Sequence, residues 1–330
     1  TKGSGTTPFS RTADGRLTLK GAVREILATE MLAGLNVNTS RSFSVIETGE
    51  NLDRHDEPSP TRSAVLVRLS QSHIRIGSFQ RLAYTDDMNG IEILARHVAR
   101  YYFSESEMVG DQQLSSLDAD APLADLLPSL LLRISAAIAN TVGSWLAAGF
   151  VHGVLNTDNF NVTGESFDYG PWRFLPQFEP NLTAAYFDQT GRYAYGRQPD
   201  AALWAVCRLA DCFVKLVPQE DLENQLRSFH SFVEARLAKQ IQWRLGIVFD
   251  RDDANRDVAF VRDFFVAAKA SQFGFDQIFH DLYGGQPRIE GYAANYWRPV
   301  LNYLQDALPR DLAALDHPHF QSQKALSITI

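Results

Sequence analysis

The stretch His152-Gly-Val-Leu-Asn-Thr-Asp-Asn159, with Asp168-Tyr-Gly170 shortly after it, decides how this sequence is interpreted. Asp and Asn are common in loops, since their side chains hydrogen-bond to nearby backbone groups. They are also the oxygen ligands of Mg²⁺, which takes one or two side chains and completes its shell with phosphate and water. Residues 162–167 are suited to a tight hairpin that returns Asp168 beside Asn159. The pattern therefore favours a divalent-metal site.

The spacing within this stretch is that of a protein-kinase catalytic loop. Asn159 follows His152 by seven residues, as in H-x-D-x-x-x-x-N, and Asp168 opens a turn that matches D-F-G. The kinase loop has its catalytic Asp two residues after His, where this chain has Val154, which cannot accept a proton. We hypothesise that Asp158 replaces the missing base. We expect His152 to be a buried hydrogen-bonding residue that supports the loop.

The organisation of the chain predicts an α+β, two-lobed, protein-kinase-like fold. Residues 1–87 form a partial N-lobe for nucleotide binding, and residues 88–330 form a helical C-lobe with the catalytic loop and the metal-binding Asp-Tyr-Gly segment. Hydrophobic periodicity predicts one helix and three strands in the N-lobe: Lys20–Leu35, Ser42–Thr48, Ala64–Leu69 and Ile74–Phe79. In the C-lobe it predicts an exposed loop at 104–121 and helices at 90–103, 122–148, 200–216, 219–244, 255–270 and 289–306.

Composition narrows the classes of partner. The 330 residues are 45% hydrophobic, with a formal net charge of -8 and a pI of about 5.5, which disfavours a nucleic-acid partner. Two cysteines are too few for a disulfide framework or a zinc site of their own. The apolar stretch 122–151 contains Asp125, Pro128 and Arg133, which favours a buried helix over a membrane span. We therefore expect neither nucleic acid nor membrane as a partner.

Longer motifs resemble the selenoprotein O family, also called the YdiU family. The first segment is Lys2-Gly-Ser-Gly-Thr-Thr-Pro-Phe-Ser-Arg11, followed by Asp14-Gly-Arg16 and Arg24-Glu25. The others are Arg68-Leu-Ser-Gln-Ser-His-Ile-Arg-Ile-Gly-Ser-Phe79, the 152–159 and 168–171 segments, Asp188-Gln-Thr-Gly-Arg-Tyr193 and Gln198-Pro199. The likeness is strong over about 1–103 and 129–216 and weak beyond.

The resemblance implies an activity and a set of residue roles. Such proteins have a kinase fold, bind ATP in a flipped orientation and transfer AMP to Ser, Thr or Tyr hydroxyls of protein substrates, using Mg²⁺ or Mn²⁺. Asp158 is implied as the catalytic proton acceptor, and Asn159 and Asp168 as the metal ligands. The implied nucleotide-binding set comprises Lys2 and Arg75 on the phosphates, Glu25 as the partner of Lys2, and Asp14, Gly15, Arg68 and Asp168.

Periodicity and motif disagree about the acidic residue of the first helix. Val23, Ile26 and Leu27 define an apolar stripe that encloses Glu30 better than Glu25. The Arg24-Glu25 motif instead indicates Glu25 as the buried acid. We follow the motif.

Two other functions remain open on the sequence. A non-catalytic pseudokinase would hold nucleotide or a partner protein without transferring a group. A small-molecule kinase would carry H-G-D-x-x-x-x-N, and Val154 argues against it. Only Thr1 precedes Lys2, so we expect a glycine-containing nucleotide loop upstream and a longer parent protein. We expect a bacterial cytoplasmic location, with a mitochondrial matrix as the alternative.

Overall fold

A computed structural model of the chain describes residues 1–8, 10, 13–55, 57–109, 112–250 and 253–321. Its helices are α1 Leu19–Gly34, α2 Ile76–Tyr84, α3 Met88–Tyr102, α4 Leu123–Ala148, α5 Gln198–Ala210, α6 Gln219–Leu226, α7 Phe229–Arg244, α8 Ala254–Ser271, α9 Phe275–Asp281, α10 Arg298–Leu304 and α11 Pro318–Gln321. Its strands are β1 Leu17–Thr18, β2 Arg41–Leu52, β3 Thr61–Leu69, β4 Glu107–Val109, β5 Gln112–Leu114, β6 Phe150–Val151, β7 Arg173–Phe174, β8 Ile247–Val248 and β9 Leu308–Pro309.

The N-terminal part is a three-stranded antiparallel sheet in the order β1-β3-β2, with α1 packed against it. The strands predicted at 42–48 and 64–69 are confirmed and lie within β2 and β3, which are longer. Lys2 pairs with Leu66 of β3 through two backbone hydrogen bonds of 2.7 and 2.9 Å. This pairing fixes the backbone of Lys2 along the free edge of β3.

Helix α1 confirms the predicted helix to within one residue at each end, but the predicted apolar stripe is wrong. Its buried residues are Ala22, Glu25, Ala28, Thr29 and Leu32, whereas Val23 and Leu27 are 43% and 39% exposed. Most of the buried side chains are small or polar, with Leu32 as the large aliphatic residue among them, whereas Val23 and Leu27 lie outside this face. Thr18 begins the helix by accepting a hydrogen bond from Gly21 N at 3.0 Å.

The strand predicted at Ile74–Phe79 is wrong in its second half. Ile74 and Ile76 are backbone-bonded to the segment 160–162 at 2.9 and 3.1 Å, so the first half is extended. Helix α2 then begins at Ile76. Ser78 accepts a hydrogen bond from Arg75 N at 3.3 Å, which satisfies a donor ahead of the first turn. Apolar residues alternate at Ile74 and Ile76 and then recur at helical spacing at Phe79 and Leu82. The predicted strand ended at Phe79 and so did not include the helical part of this pattern.

Helix α4 is the centre of the larger helical part and packs against α5, α6 and α7. Its length and composition alone would permit a membrane span, but 78% of its most apolar window is buried inside the protein, as in a core helix. It ends at Gly149, whose φ of +70° is left-handed. A Cβ at this position would lie 2.6 Å from the Phe275 ring, so glycine is needed there.

Three further predictions in the helical part need correction. The exposed loop predicted at 104–121 contains the β4–β5 hairpin, anchored by buried Val109 and Leu114. The single helix predicted at 219–244 is two helices, α6 and α7. The helix predicted at 289–306 consists of two 3₁₀ turns at 290–293 and 295–297 followed by α10.

The predicted mixture of helices with small antiparallel sheets is confirmed. The boundary at residue 87 stays a prediction. Phe9 and Arg11 of the first motif lie outside the described residues, as do the last nine residues of the predicted C-lobe.

Candidate active site

Lys2 joins the sheet, α1 and the segment after the catalytic loop. Its Nζ donates to Glu25 on α1 and, at 2.7 Å, to Oδ1 of Asp168. The ion pair predicted between Lys2 and Glu25 is therefore present. Because Lys2 is fixed on β3 by its backbone, its ammonium group sets the position of α1 relative to Asp168.

Glu25 is the buried acid of this region, as the motif indicated, while Glu30 is exposed. Its carboxylate accepts from Lys2, from Arg68 Nη1 at 2.8 Å and from Tyr169 N at 3.1 Å. Burial raises the pKa of Glu25, and the charges of Lys2 and Arg68 oppose that effect. The neighbouring Asp168 carboxylate adds to the rise in the pKa of Glu25.

The predicted hairpin brings Asp168 back beside Asn159. Phe160 bridges Ser166, and Phe167 N donates to the carbonyl oxygen of Asn159 at 3.0 Å. Asn159 Nδ2 donates to the backbone oxygen of Val154 at 2.8 Å, which leaves Oδ1 as the atom for a cation. Burial raises the pKa of Asp168, but the charge of Lys2 and the side-chain hydrogen bonds with Glu25 and Lys2 together outweigh it and lower the pKa to about 2. Asp168 is therefore ionised and can ligate a metal.

His152 supports the loop as predicted and is fully buried. Its Nε2 lies 2.7 Å from Ser166 Oγ, and that hydroxyl lies 2.9 Å from the carbonyl oxygen of Asp168. Val154 N donates to His152 Nδ1 at 3.4 Å, so Nε2 carries the proton in a neutral ring. Burial lowers the pKa of His152 to about 4, which keeps it neutral at physiological pH.

Asp158 lies over the first turn of α2. A Cβ on Gly77 would be 2.0 Å from Asp158 Oδ1, so a larger residue would force this carboxylate to move. Arg75 Nη1 lies 4.0 Å from the same oxygen, and the Arg75 guanidinium lies 4.2 Å above the Phe167 ring. Arg75 thus occupies the space between the proposed base and the residue before Asp168, and both Asp158 and Arg75 are about one-third exposed to solvent.

Arg68 is buried and largely occupied by the protein itself. Its two terminal nitrogens donate to Glu25, Ser40 Oγ and the backbone oxygens of Ser166 and Phe167. Its Nε is buried with no partner among the residues that the structure describes. Only Nε therefore remains to meet a ligand.

Asp14 and Gly15 lie on the turn that pairs with the first residues of the chain. Gly5 N donates to the carbonyl oxygen of Gly15 at 3.0 Å, and a Cβ on Gly15 would be 2.3 Å from Gly5 O. The carboxylate of Asp14 accepts from Arg16 N and from Arg54, each at 2.9 Å. The proposed contacts of Asp14 and Gly15 with nucleotide stay predictions.

A cavity of about 250 Å³ opens beside Lys2 and the hairpin. Its wall contains cationic, hydroxyl, imidazole and amide groups: Lys2, Arg68, Ser70, His73, Asn161 and Ser166. This volume is below that of a typical pocket for a whole drug-sized ligand.

The cations of this region are paired with carboxylates. Lys2 contacts Glu25 and Asp168, Arg68 contacts Glu25, and Arg75 contacts Asp158, all at 4.0 Å or less. A divalent ion on Asp168 and Asn159 would add positive charge to the region.

The donor set fits Mg²⁺ or Mn²⁺. Both available atoms, a carboxylate oxygen of Asp168 and the amide oxygen of Asn159, are hard ligands, and Mg²⁺ completes its shell with phosphate and water. In the part of the chain that the structure describes, no group of three or more His, Cys, Asp or Glu side chains could hold a metal alone. The remaining ligands of an ion held by these two atoms would be water or phosphate oxygens.

Sequence reasoning missed several supporting residues. Ser166 links His152 to Asp168, and Gln198 at the start of α5 holds the loop by accepting from His152 N and donating to Phe150 O, each at 2.9 Å. Gln198 belongs to the Gln198-Pro199 motif, which by itself gives no indication of this role. The roles of Ser40 and Asn161 could not be predicted from neighbouring residues, because their hydrogen-bond partners Arg68 and Ser70 lie far away in the sequence.

Comparisons with known proteins agree on one family. The family model described as "Protein adenylyltransferase SelO" matches residues 1–292, well beyond residue 216, where the likeness had been expected to weaken. The protein nucleotidyltransferase YdiU of Trichodesmium erythraeum is 46% identical over 246 residues, which are 74% of this chain and 51% of that protein. Its counterpart in Synechococcus elongatus is 40% identical over 323 residues, which are 97% of this chain and 61% of that protein. The chain thus spans about half to three-fifths of the length of these relatives.

Proposed function

This chain belongs to the SelO family of protein adenylyltransferases, and from this we propose that it transfers AMP from ATP to Ser, Thr or Tyr hydroxyls of other proteins. One observation carries the proposal: Lys2 Nζ is bonded to both Glu25 and Asp168. A fixed cation between a helix carboxylate and a metal-ligating carboxylate is the arrangement that positions phosphates in kinase-like enzymes.

We propose that the two-lobed kinase-like architecture underlies this site. The sheet with α1 supplies Lys2 and Glu25, and the helical part supplies the catalytic loop and Asp168. Arg24 adds a contact between these parts, because its guanidinium donates to the carbonyl oxygen of Trp172 at 3.0 Å and lies 4.8 Å above that ring.

In the proposed reaction, the acceptor hydroxyl oxygen attacks the α-phosphorus of ATP. The new bond is O–Pα, the Pα–O–Pβ bond breaks, and pyrophosphate leaves with the electron pair. Asp158 accepts the hydroxyl proton, a role for which its partial exposure beside Arg75 is suited. Arg75 and Lys2 stabilise charge on the phosphate oxygens. A bound Mg²⁺ or Mn²⁺ on Asn159 and Asp168 would supply further neutralisation of that charge.

Asp158 serves as the base without occupying the usual kinase position. Val154 contributes only its backbone there, accepting from Asn159 Nδ2 at 2.8 Å. The position that holds the base in kinases therefore holds a group that orients the metal-binding amide. This supports an acid at 158 as the replacement and argues against the small-molecule kinase alternative.

Labelled nucleotides separate the three functions. The protein is incubated with a protein substrate, Mg²⁺ or Mn²⁺, and ATP labelled at either the α- or the γ-phosphate. We expect label on protein from the α-position only. Label from γ only would establish a kinase instead. Retained nucleotide binding without any labelling would establish the pseudoenzyme alternative. The cytoplasmic location and the identity of the protein substrates remain predictions.

A further inference from the structure

Asn161 is a buried amide whose hydrogen-bonding capacity is only partly used. Its backbone lies in the hairpin, bridging Arg75 and accepting from Gly164 N at 2.9 Å. Its side chain is fully buried, and Nδ2 donates to Ser70 Oγ at 3.1 Å. Oδ1 has no partner within the described ranges. A buried acceptor without a partner destabilises the protein, so its presence needs an explanation.

The explanation lies in the cavity beside Lys2. Asn161 forms part of its wall together with Arg68, whose Nε is the other buried polar atom of that wall without a described partner. Two unused groups on one cavity point to a ligand that uses both. Arg68 Nε can only donate, so the ligand atom facing it is an acceptor.

The orientation of the Asn161 amide follows from the same requirement. The oxygen and nitrogen of an Asn amide have nearly the same shape, and their assignment depends on the hydrogen-bond network. If the amide turns by 180°, Ser70 Oγ donates to Oδ1, because a hydroxyl can serve either way. Nδ2 then becomes a donor on a residue of the same cavity wall as Arg68.

Phosphate is the acceptor that fits this wall. Lys2, Arg68 and two neutral donors line the cavity, whereas Asp158 and Asn159 are absent from its described lining. The α-phosphate must lie near Asp158 if that residue deprotonates the attacking hydroxyl. The cavity therefore takes the part of the triphosphate farther from the attacked atom.

We propose that the Asn161 side-chain amide, oriented by Ser70, binds the terminal phosphates of ATP and the pyrophosphate that leaves. This inference rests on the proposed function and adds a binding residue to it. The rival occupant is the adenine base, whose amino group would donate to Asn161 Oδ1 in its present orientation.

Replacing Asn161 by Asp or Ala distinguishes these occupants. Asn161→Asp keeps the shape and the Ser70 hydrogen bond but offers only acceptors, with a negative charge. We expect both variants to weaken ATP binding by at least about tenfold, Asn161→Asp more than Asn161→Ala, because a donor to a charged group is lost. AMP, which lacks the terminal phosphates, should bind within about twofold of wild type. Calorimetric titration with ATP and AMP in Mg²⁺ measures both.

Asn38 provides a matched control on the other side of the hairpin. Its Nδ2 donates to the carbonyl oxygen of Thr163 at 3.3 Å, and it lines a different cavity. Asn38→Ala should leave the ratio of ATP to AMP affinity unchanged, while thermal unfolding of every variant reports folding.

Each remaining outcome has one meaning. Wild-type ATP affinity in Asn161→Asp with weak binding in Asn161→Ala would assign the cavity to the base and overturn the proposal. Equal weakening of ATP and AMP, together with a lower melting temperature, would make Asn161 merely structural and overturn it as well. A wild-type protein that binds no ATP would reject the proposed function itself.

Discussion

Lys2 and Asp168, separated by 166 positions in the sequence, form an ion pair of 2.7 Å between Nζ and Oδ1. The same ammonium group bonds to Glu25, so one side chain links the sheet edge, the first helix and the end of the hairpin. The pair also helps to keep Asp168 ionised, since against the effect of burial the charge of Lys2 contributes to lowering its pKa to about 2.

Asp168→Ala should abolish metal-dependent ATP binding and transfer of the α-label. The substitution removes the carboxylate oxygen proposed for the metal, whereas Lys2 retains Glu25 as a partner. Titration of ATP with and without Mg²⁺ measures the first effect, and protein labelling measures the second. Asp221→Ala on the exposed side of α6 serves as the control. Undiminished labelling in Asp168→Ala would refute the site assignment.

Glu25→Gln should destabilise the protein by about 3–5 kcal/mol, because it leaves Arg68 buried without its carboxylate. Glu30→Gln, on the exposed face of the same helix, should change the free energy of unfolding by no more than about 0.5 kcal/mol. Urea unfolding of both variants tests the difference. Similar losses in the two would contradict the observed orientation of α1.

Gly77→Ala should lower the rate of AMP transfer at least tenfold (~10×) while leaving ATP affinity within about threefold. The added Cβ would lie 2.0 Å from Asp158 Oδ1 and displace the proposed base, whereas Lys2 and Asp168 are untouched. Separate measurements of kcat and of ATP affinity test this. Gly34→Ala is the matched control, since a Cβ there meets no atom within 4 Å. A normal kcat in Gly77→Ala would remove Asp158 from the mechanism.

Stability should fall as the pH drops from about 6.5 to about 4, partly because of His152. In the unfolded chain this imidazole binds a proton near its ordinary pKa of 6.5, but in the folded protein burial lowers the pKa to about 4. The unfolded state therefore binds more protons in this window, and the contribution reaches about 3 kcal/mol at its lower end. Above pH 6.5 both states are neutral, and this dependence disappears.

His152→Gln removes that titration, so its melting temperature should depend less steeply on pH between 4 and 6.5 than that of wild type. The slope is the readout, because the variant also loses the contact of His152 with Ser166 and starts from a lower stability. His55→Gln, at an exposed position, should keep the wild-type slope. An unchanged slope in His152→Gln would show that other groups account for the acid sensitivity.

Local patterns predicted the elements better than the contacts between them. Periodicity located α1 and α4 to within a residue or two, and loop spacing predicted the hairpin that returns Asp168 to Asn159. The buried face of α1 could not be predicted in this way. The buried face of α1 consists mostly of small side chains and Glu25. The stripe of large apolar residues therefore predicted the wrong face of the helix.

The residues that complete the site depend on long-range partners. The sequence alone does not explain Gly77, which lies directly against Asp158 in the structure. The start of α2 resembles a strand in the sequence because apolar and other residues alternate there. Gln198 and Ser166 form hydrogen bonds with backbone groups. Every residue has these groups, so a sequence pattern cannot predict such contacts. The motifs identified the charged residues, and the structure identified what holds them.

The pairing of Lys2, Arg68 and Arg75 with carboxylates governs how a ligand approaches. Paired charges have fields that largely cancel beyond a Debye length, about 8 Å at physiological ionic strength. We therefore expect added salt to change the association rate of free nucleotide only slightly. Encounter then depends on diffusion to a short-range binding surface.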